Sequence, residues 1–202
     1  MKIKTIQGLG FLPFVLLLMG GCQTLFGWDI HAPGRLSNNF FTSIETIDAG
    51  VGLWLSPEVY QYVSKDRGSR FADPQTYHVG ESLSPMILEG FQHSFKRFYL
   101  LEVEPTPEMM QAYGLEYLVG VGVKDFNNHV TMKGQGVGLV LRAEIYNAKL
   151  ESLVNLDVQG SSEAVKVFAK KGGPEVNLNA AIENATSSLI LYLQDAIREQ
   201  SW

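Results

Sequence analysis

The sequence predicts an α+β fold: a two-layer domain in which a mostly antiparallel sheet of about five strands packs on two long helices. Several segments place apolar residues at every second position, the period of a half-buried strand. Two longer segments place them every three or four positions, the period of an amphipathic helix. Clusters of Gly, Pro and Asn separate these segments.

Taken in order, residues 1–21 read as a signal segment, and residues 22–42 as a tether containing Gly27, Pro33, Gly34, Asn38 and Asn39 with no sustained period. Residues 43–202 form a single domain. Its first strand alternates Ile47, Ala49, Val51, Leu53 and Leu55 and stops at Pro57. Residues 59–63 read as a short helix or strand, and 64–76 as an irregular excursion around Gly68, Asp73 and Pro74. Gly80-Glu81-Ser82 leads into a long helix whose apolar stripe is Leu83, Ile87, Gly90, Phe91, Ser94, Phe95 and Phe98. Tyr99, Leu101 and Val103 start a second strand, ended by Pro105 and Pro107, and a short helix over 107–113 stops at Gly114.

Leu115, Tyr117, Val119, Val121 and Val123 form the next strand, after which residues 127–134 turn the chain. A hairpin follows, with Val137, Leu139, Leu141, Ala143 and Ile145 on one arm and Leu150, Ser152, Val154, Leu156 and Val158 on the other. Its turn lies near Asn147-Ala148-Lys149. A short strand is expected at 164–169, with a stop at Gly172-Gly173-Pro174. The closing helix carries Leu178, Ala181, Ile182, Ala185, Leu189, Leu193 and Ala196, with Asn177 or Asn179 as its cap.

The face opposite the core-facing strand residues is rich in glycine: Gly50 and Gly52, Gly120 and Gly122, Gly136 and Gly138. Each glycine weakens a strand by roughly 0.5–1 kcal/mol relative to Ala. One account is that they let a twisted sheet coil or mark bulges. The other is a shallow, bare patch on neighbouring strands, rimmed by Trp54, Val140 and Phe126, that a partner or a second copy approaches.

Chemistry-bearing patterns are weak. His31, His78, His93 and His129 stand far apart in no metal-ligand spacing, so neither a metal site nor a cofactor is expected. Gly134, Gly136 and Gly138 enter a strand, whereas a phosphate loop must open a helix. Glu102 and Glu104 share one face of a strand, and a solvated edge accounts for them. Ser161-Ser162 and Ser187-Ser188 lack a nucleophile's setting. No catalytic residue is therefore assigned.

The amino terminus carries the most specific motif. Lys2 and Lys4 precede the apolar run Phe11 to Met19, and Gly20-Gly21 leads directly into Cys22, the only cysteine. A membrane-spanning helix needs ~20 apolar residues; this run is shorter and contains Pro13. The arrangement resembles the lipobox of bacterial lipoproteins, with Met19 where that family usually has Leu. The resemblance implies a mature chain that starts at Cys22, carries acyl chains on that residue and is tethered to a bilayer. Gln23 is not the Asp that favours inner-membrane retention in the family, so the resemblance implies the outer membrane, facing the periplasm.

Removal of residues 1–21 takes away two lysines and no acid, leaving 14 basic against 21 acidic residues, a net charge of −7. Such an acidic chain with scattered basic residues lacks the positive footprint that nucleic acid requires. The body also loosely resembles small periplasmic α+β lipoproteins that accompany envelope machines. Together these lead to the expectation of a non-enzymatic accessory or scaffold subunit of an envelope assembly, secretion or transport complex, acting by partner binding or self-association. The alternative is a binding protein for a lipid or small apolar ligand, its pocket lined by Phe91, Phe95, Phe98 and Tyr117.

Overall fold

The computed structural model describes residues 27–68, 73–131, 134–162 and 173–199. The signal segment, Cys22 and the expected strand at 164–169 lie outside the described residues. The fold is α+β, as expected, but the described residues form two sheets with eight strands in total and five helices.

The main sheet has the order β5-β2-β6-β7-β8, formed by Phe95–Leu101, Ile47–Leu55, Tyr117–Thr131, Gly134–Asn147 and Ser152–Ser161. It is mixed rather than mostly antiparallel, because β2 runs parallel to both β5 and β6. Period-two alternation does not encode strand direction. The long connection between β2 and β5 does, since parallel neighbours need a crossover of a dozen or more residues. Helix α3 (Val79–Ser94) lies within that crossover.

The inner face of the sheet packs on α3 and on α5 (Pro174–Glu199). Ala49, Val51, Leu53 and Leu55 are all buried, as the alternation predicts. So are Leu83, Ile87 and Phe91 on α3, and Leu178, Ala181, Ile182, Ala185, Leu189 and Leu193 on α5. Each large apolar side chain removed from water contributes roughly 1.5–3 kcal/mol. Two glycines set the spacing of these layers. A Cβ at Gly160 on β8 would lie 2.1 Å from the Ala181 carbonyl oxygen, and one at Gly90 would lie 3.0 Å from Ile190 Cδ1 and Thr186 Cγ2.

Four local expectations are corrected. First, α3 ends at Ser94, and Phe95 is already extended (φ −129°, ψ 127°), so Phe95 and Phe98 belong to β5 and not to the helical stripe. A register shift near its start turns Phe98 and Leu100 toward the core and Tyr99 and Leu101 to the outer face. Second, the reversal expected over 127–134 is shorter: β6 runs on to Thr131, which pairs with Gly134 at the start of β7. Third, α5 starts at Pro174, whose missing N–H is harmless in the first helical turn. Asn177 and Asn179 are therefore not caps; they bridge sideways to the Gln135 and Arg35 carbonyls.

Fourth, the chain from Gly27 onward is packed rather than a tether. β1 (Trp28–Ile30), β4 (Gln75–Tyr77) and β3 (Ser64–Asp66) form a second sheet of order β1-β4-β3, which takes in the two ends of the excursion expected over 64–76. Helix α1 (Asn38–Ser43) is capped by Ser37, whose hydroxyl also donates to Glu183 on α5 at 2.5 Å. Leu36, Phe40 and Ile44 are buried. Their four-residue spacing was the signal that this segment docks. The short helices α2 (Pro57–Tyr60) and α4 (Pro107–Ala112) complete the elements.

Candidate functional site

The outer face of the main sheet holds all the glycines expected there, on the adjacent strands β2, β6 and β7. They do not form one bare patch. Gly50 and Gly52 lie beneath a satellite core of Leu101, Met110, Leu115 and Leu118, which α4 and the segment after it lay across β2. A Cβ at Gly50 would stand 2.5 Å from the Gly114 carbonyl oxygen, so the bare backbone there accommodates a neighbouring chain segment. On the hairpin, a Cβ at Gly136 would lie 2.7 Å from His129 Nε2, and one at Gly138 2.7 Å from Asn127 Oδ1. Both are covered by side chains of the paired strand.

The middle of the face is open. Trp54, Gly120 and Gly122 line a shallow groove of about 220 Å³ with Lys124, Arg142 and Glu144. A Cβ at Gly122 would meet nothing within 4 Å. Along one side, Asp157 accepts hydrogen bonds from Lys124 and from Arg142 Nε, the latter at 3.4 Å. The Lys124 hydrogen bond holds the Asp157 carboxyl below the usual range. Val140 shares this face, but Phe126 does not. A bulge at Lys124 reverses the alternation of β6, so Phe126 turns inward against Tyr77, ring centroids 5.1 Å apart.

That reversal also builds a polar cluster where the β6–β7 hairpin meets the small sheet. Gln135 Nε2 donates toward Gln75 Oε1 at 2.9 Å, Asn128 Oδ1 at 2.9 Å and the Tyr77 hydroxyl at 2.5 Å. Tyr77 donates to Gln75 Oε1 at 2.6 Å, and Asn128 Nδ2 donates to Asp66 Oδ2 at 2.9 Å. Burial first, and then the charge of Asp66, push the Tyr77 phenol well above its ordinary range. A neutral, hydrogen-bonded phenol of this kind joins two sheets; it is not poised to ionise.

The structure also gathers what sequence spacing kept apart. Strands β1 and β4 are parallel with Ile30 opposite Tyr77, so the next residues, His31 and His78, emerge side by side. Their rings stack with centroids 4.1 Å apart and planes 14° from parallel. Glu81, in the first turn of α3, places Oε2 2.8 Å from His31 Nδ1 and Oε1 3.4 Å from His78 Nδ1. The hydrogen bond with His31, followed by the charges of both imidazoles, holds the Glu81 carboxyl below its usual range. One ligand atom from each residue lies within 4.8 Å of the others, the three-residue group among the described residues that could hold a metal ion.

The remaining candidates are structural. His93 Nε2 lies 3.1 Å from the Ile44 carbonyl oxygen, and its ring meets Phe41 edge-on. Glu102 and Glu104 fall beyond the end of β5 and are exposed. Ser162 exchanges hydrogen bonds with the Val137 backbone. Phe91 packs on Phe95 and Phe98 within the core.

No family model matches this chain, and no curated protein matches it. Solved structures with a similar chain path include a hypothetical protein from Chlamydia trachomatis, at 10% identity and a TM-score of 0.44, covering 74% of this chain and 95% of that one. A lipoprotein from Neisseria meningitidis matches at 8% identity and a TM-score of 0.33, covering 75% and 96%. A neuraminyllactose-binding hemagglutinin homolog from Helicobacter pylori matches at 10% identity and a TM-score of 0.32, covering 77% and 89%. Likenesses this distant assign no activity. Among the described residues, no helix is long and apolar enough to cross a membrane.

Proposed function

We propose that this chain is a non-enzymatic bacterial lipoprotein, anchored to the periplasmic side of the outer membrane through acylated Cys22. It serves there as an accessory or scaffold subunit of an envelope assembly, secretion or transport complex. The observation that carries the reading is the sequence run from Lys2 to Gly20-Gly21-Cys22. Acyl chains contribute about 0.8 kcal/mol per buried CH₂, so two or more of them anchor a protein stably. The open groove at Trp54, Gly120 and Gly122 is the protein-docking surface in this reading, with Lys124, Arg142 and Glu144 as its polar rim. The small-ligand alternative has less support, because the pocket it expects between sheet and helices is filled by core side chains. Of the aromatics expected to line it, Phe91 packs on Phe95 and Phe98.

Two substitutions test the proposal separately. Cys22→Ser is expected to abolish labelling by an alkyne fatty acid and to release the protein from the outer-membrane fraction; normal maturation and fractionation would refute the anchor. Gly122→Glu introduces a charge into open space, so it is expected to leave the melting temperature unchanged while dissolving the native complex. A complex that survives on native gels would refute the docking surface. Gly138 is unsuitable for this test because Asn127 occupies the space beside it.

A further inference from the structure

We propose that His31, His78 and Glu81 form a binding site for one divalent transition-metal ion of the zinc type, which clips the segment after β1 onto the start of α3. Two imidazoles are borderline donors that, together with one carboxylate, suit Zn²⁺ and its neighbours and are a poor match for Mg²⁺ or Ca²⁺. Bonds of about 2.0–2.1 Å place adjacent ligand atoms of a tetrahedral site roughly 3.3 Å apart. Glu81 Oε2 lies 2.8 Å from His31 Nδ1 and Oε1 lies 3.4 Å from His78 Nδ1, and one ligand atom from each residue lies within 4.8 Å of the others, so turning the imidazoles out of their stack would bring the three to that spacing. An ion between them would take the place of the hydrogen bond that now links carboxylate and ring.

The backbone holds the three residues in place. The His78 N–H donates to the Ile30 carbonyl at 3.1 Å, and the Ser82 hydroxyl donates to the Ala32 carbonyl at 3.1 Å, so each side of the cluster is tied. Asp29 supplies a second, independent feature. Its Oδ1 lies 3.6 Å from His78 Nε2, on the ring nitrogen that points away from Glu81. At that distance the carboxylate is an ion-pair partner of the ring; drawn in to hydrogen-bond distance behind a ligating imidazole, it would fix the ring's tautomer. His31 and Glu81 have more than half of their side-chain surface exposed, which leaves the fourth position to water and makes the ion exchangeable.

The experiment is titration of the untagged, chelator-treated full chain in mild detergent with Zn²⁺ against a chromophoric competitor. One Zn²⁺ per chain is expected, with a rise in melting temperature because the ion binds the folded state. His31→Gln and Glu81→Gln should each lower affinity by more than Asp29→Asn, for which loss of an outer partner costs about 10- to 100-fold. His129→Gln should bind as the parent does. Circular dichroism checks that each variant is folded; His78→Gln replaces any that is not. Absence of stoichiometric binding, or equal loss in the His129 control, would overturn the proposal.

Discussion

Gly160 offers a sharp test of how the two layers fit. Strand β8 lies so close to α5 that a Cβ at Gly160 would be 2.1 Å from the Ala181 carbonyl oxygen, 2.4 Å from the Ala185 nitrogen and 2.8 Å from Ala185 Cβ. Favourable contacts lie at roughly 3.5–4.0 Å, so Gly160→Ala forces strand and helix apart by about 1 Å. The obstacle is helix backbone, which no side-chain rotation can move aside. Overpacking of this kind costs typically about 1–3 kcal/mol. The same substitution restricts the unfolded chain, which returns about 0.4–1 kcal/mol. The net expectation is a loss of about 1–2 kcal/mol, or roughly 2–8 °C in melting temperature for a domain of this size. Gly122→Ala is the control, because nothing lies within 4 Å of its Cβ position and only the unfolded-state effect remains. Urea unfolding of both variants reads the difference. If Gly160→Ala matches the parent, or Gly122→Ala falls as far, the close-approach argument is wrong.

Two further outcomes follow from the polar contacts. Tyr77→Phe removes one member of the buried cluster but leaves Gln135 and Gln75 with other partners, so it should cost only about 1 kcal/mol at neutral pH. In the folded state the Tyr77 phenol is held above its ordinary value, so its contribution is present below the unfolded value and lost as pH rises. Urea midpoints taken between pH about 9 and about 11 should therefore fall less steeply in Tyr77→Phe than in the parent; parallel slopes would contradict this. Asp157 shifts in the opposite direction: its contribution is present above the unfolded aspartate value and fades as pH falls through the lowered folded one. Lys124→Ala should move the Asp157 titration upward in an NMR experiment, with little change in melting temperature because the pair is exposed and screened.

Much of the inner architecture was legible from the chain. Apolar period marked β2, β7, α5 and most of α3, because core residues must repeat with the geometry of the element that carries them. The errors arose where one residue alters the phase. The bulge at Lys124 turned Phe126 from the outer face to the core, and the register shift near the start of β5 put Leu100 on the core side and Tyr99 and Leu101 on the outer one. A single inserted residue inverts every later side chain, and composition carries little trace of it.

The candidate sites divide along the same line. The lipobox-like run that ends at Cys22 is a local string of residues, so it is read from the sequence alone, along with the chain's acidic charge and its alternating glycines. Which of those glycines are open depended on the segment after α4 covering Gly50 and Gly52 and on His129 and Asn127 covering Gly136 and Gly138. The meeting of His31 with His78 and Glu81 depended on β1 pairing in parallel with β4. Local motifs survive in one dimension; neighbours brought together by strand pairing exist only once the chain has folded, because hydrogen-bond register sets which distant side chains meet.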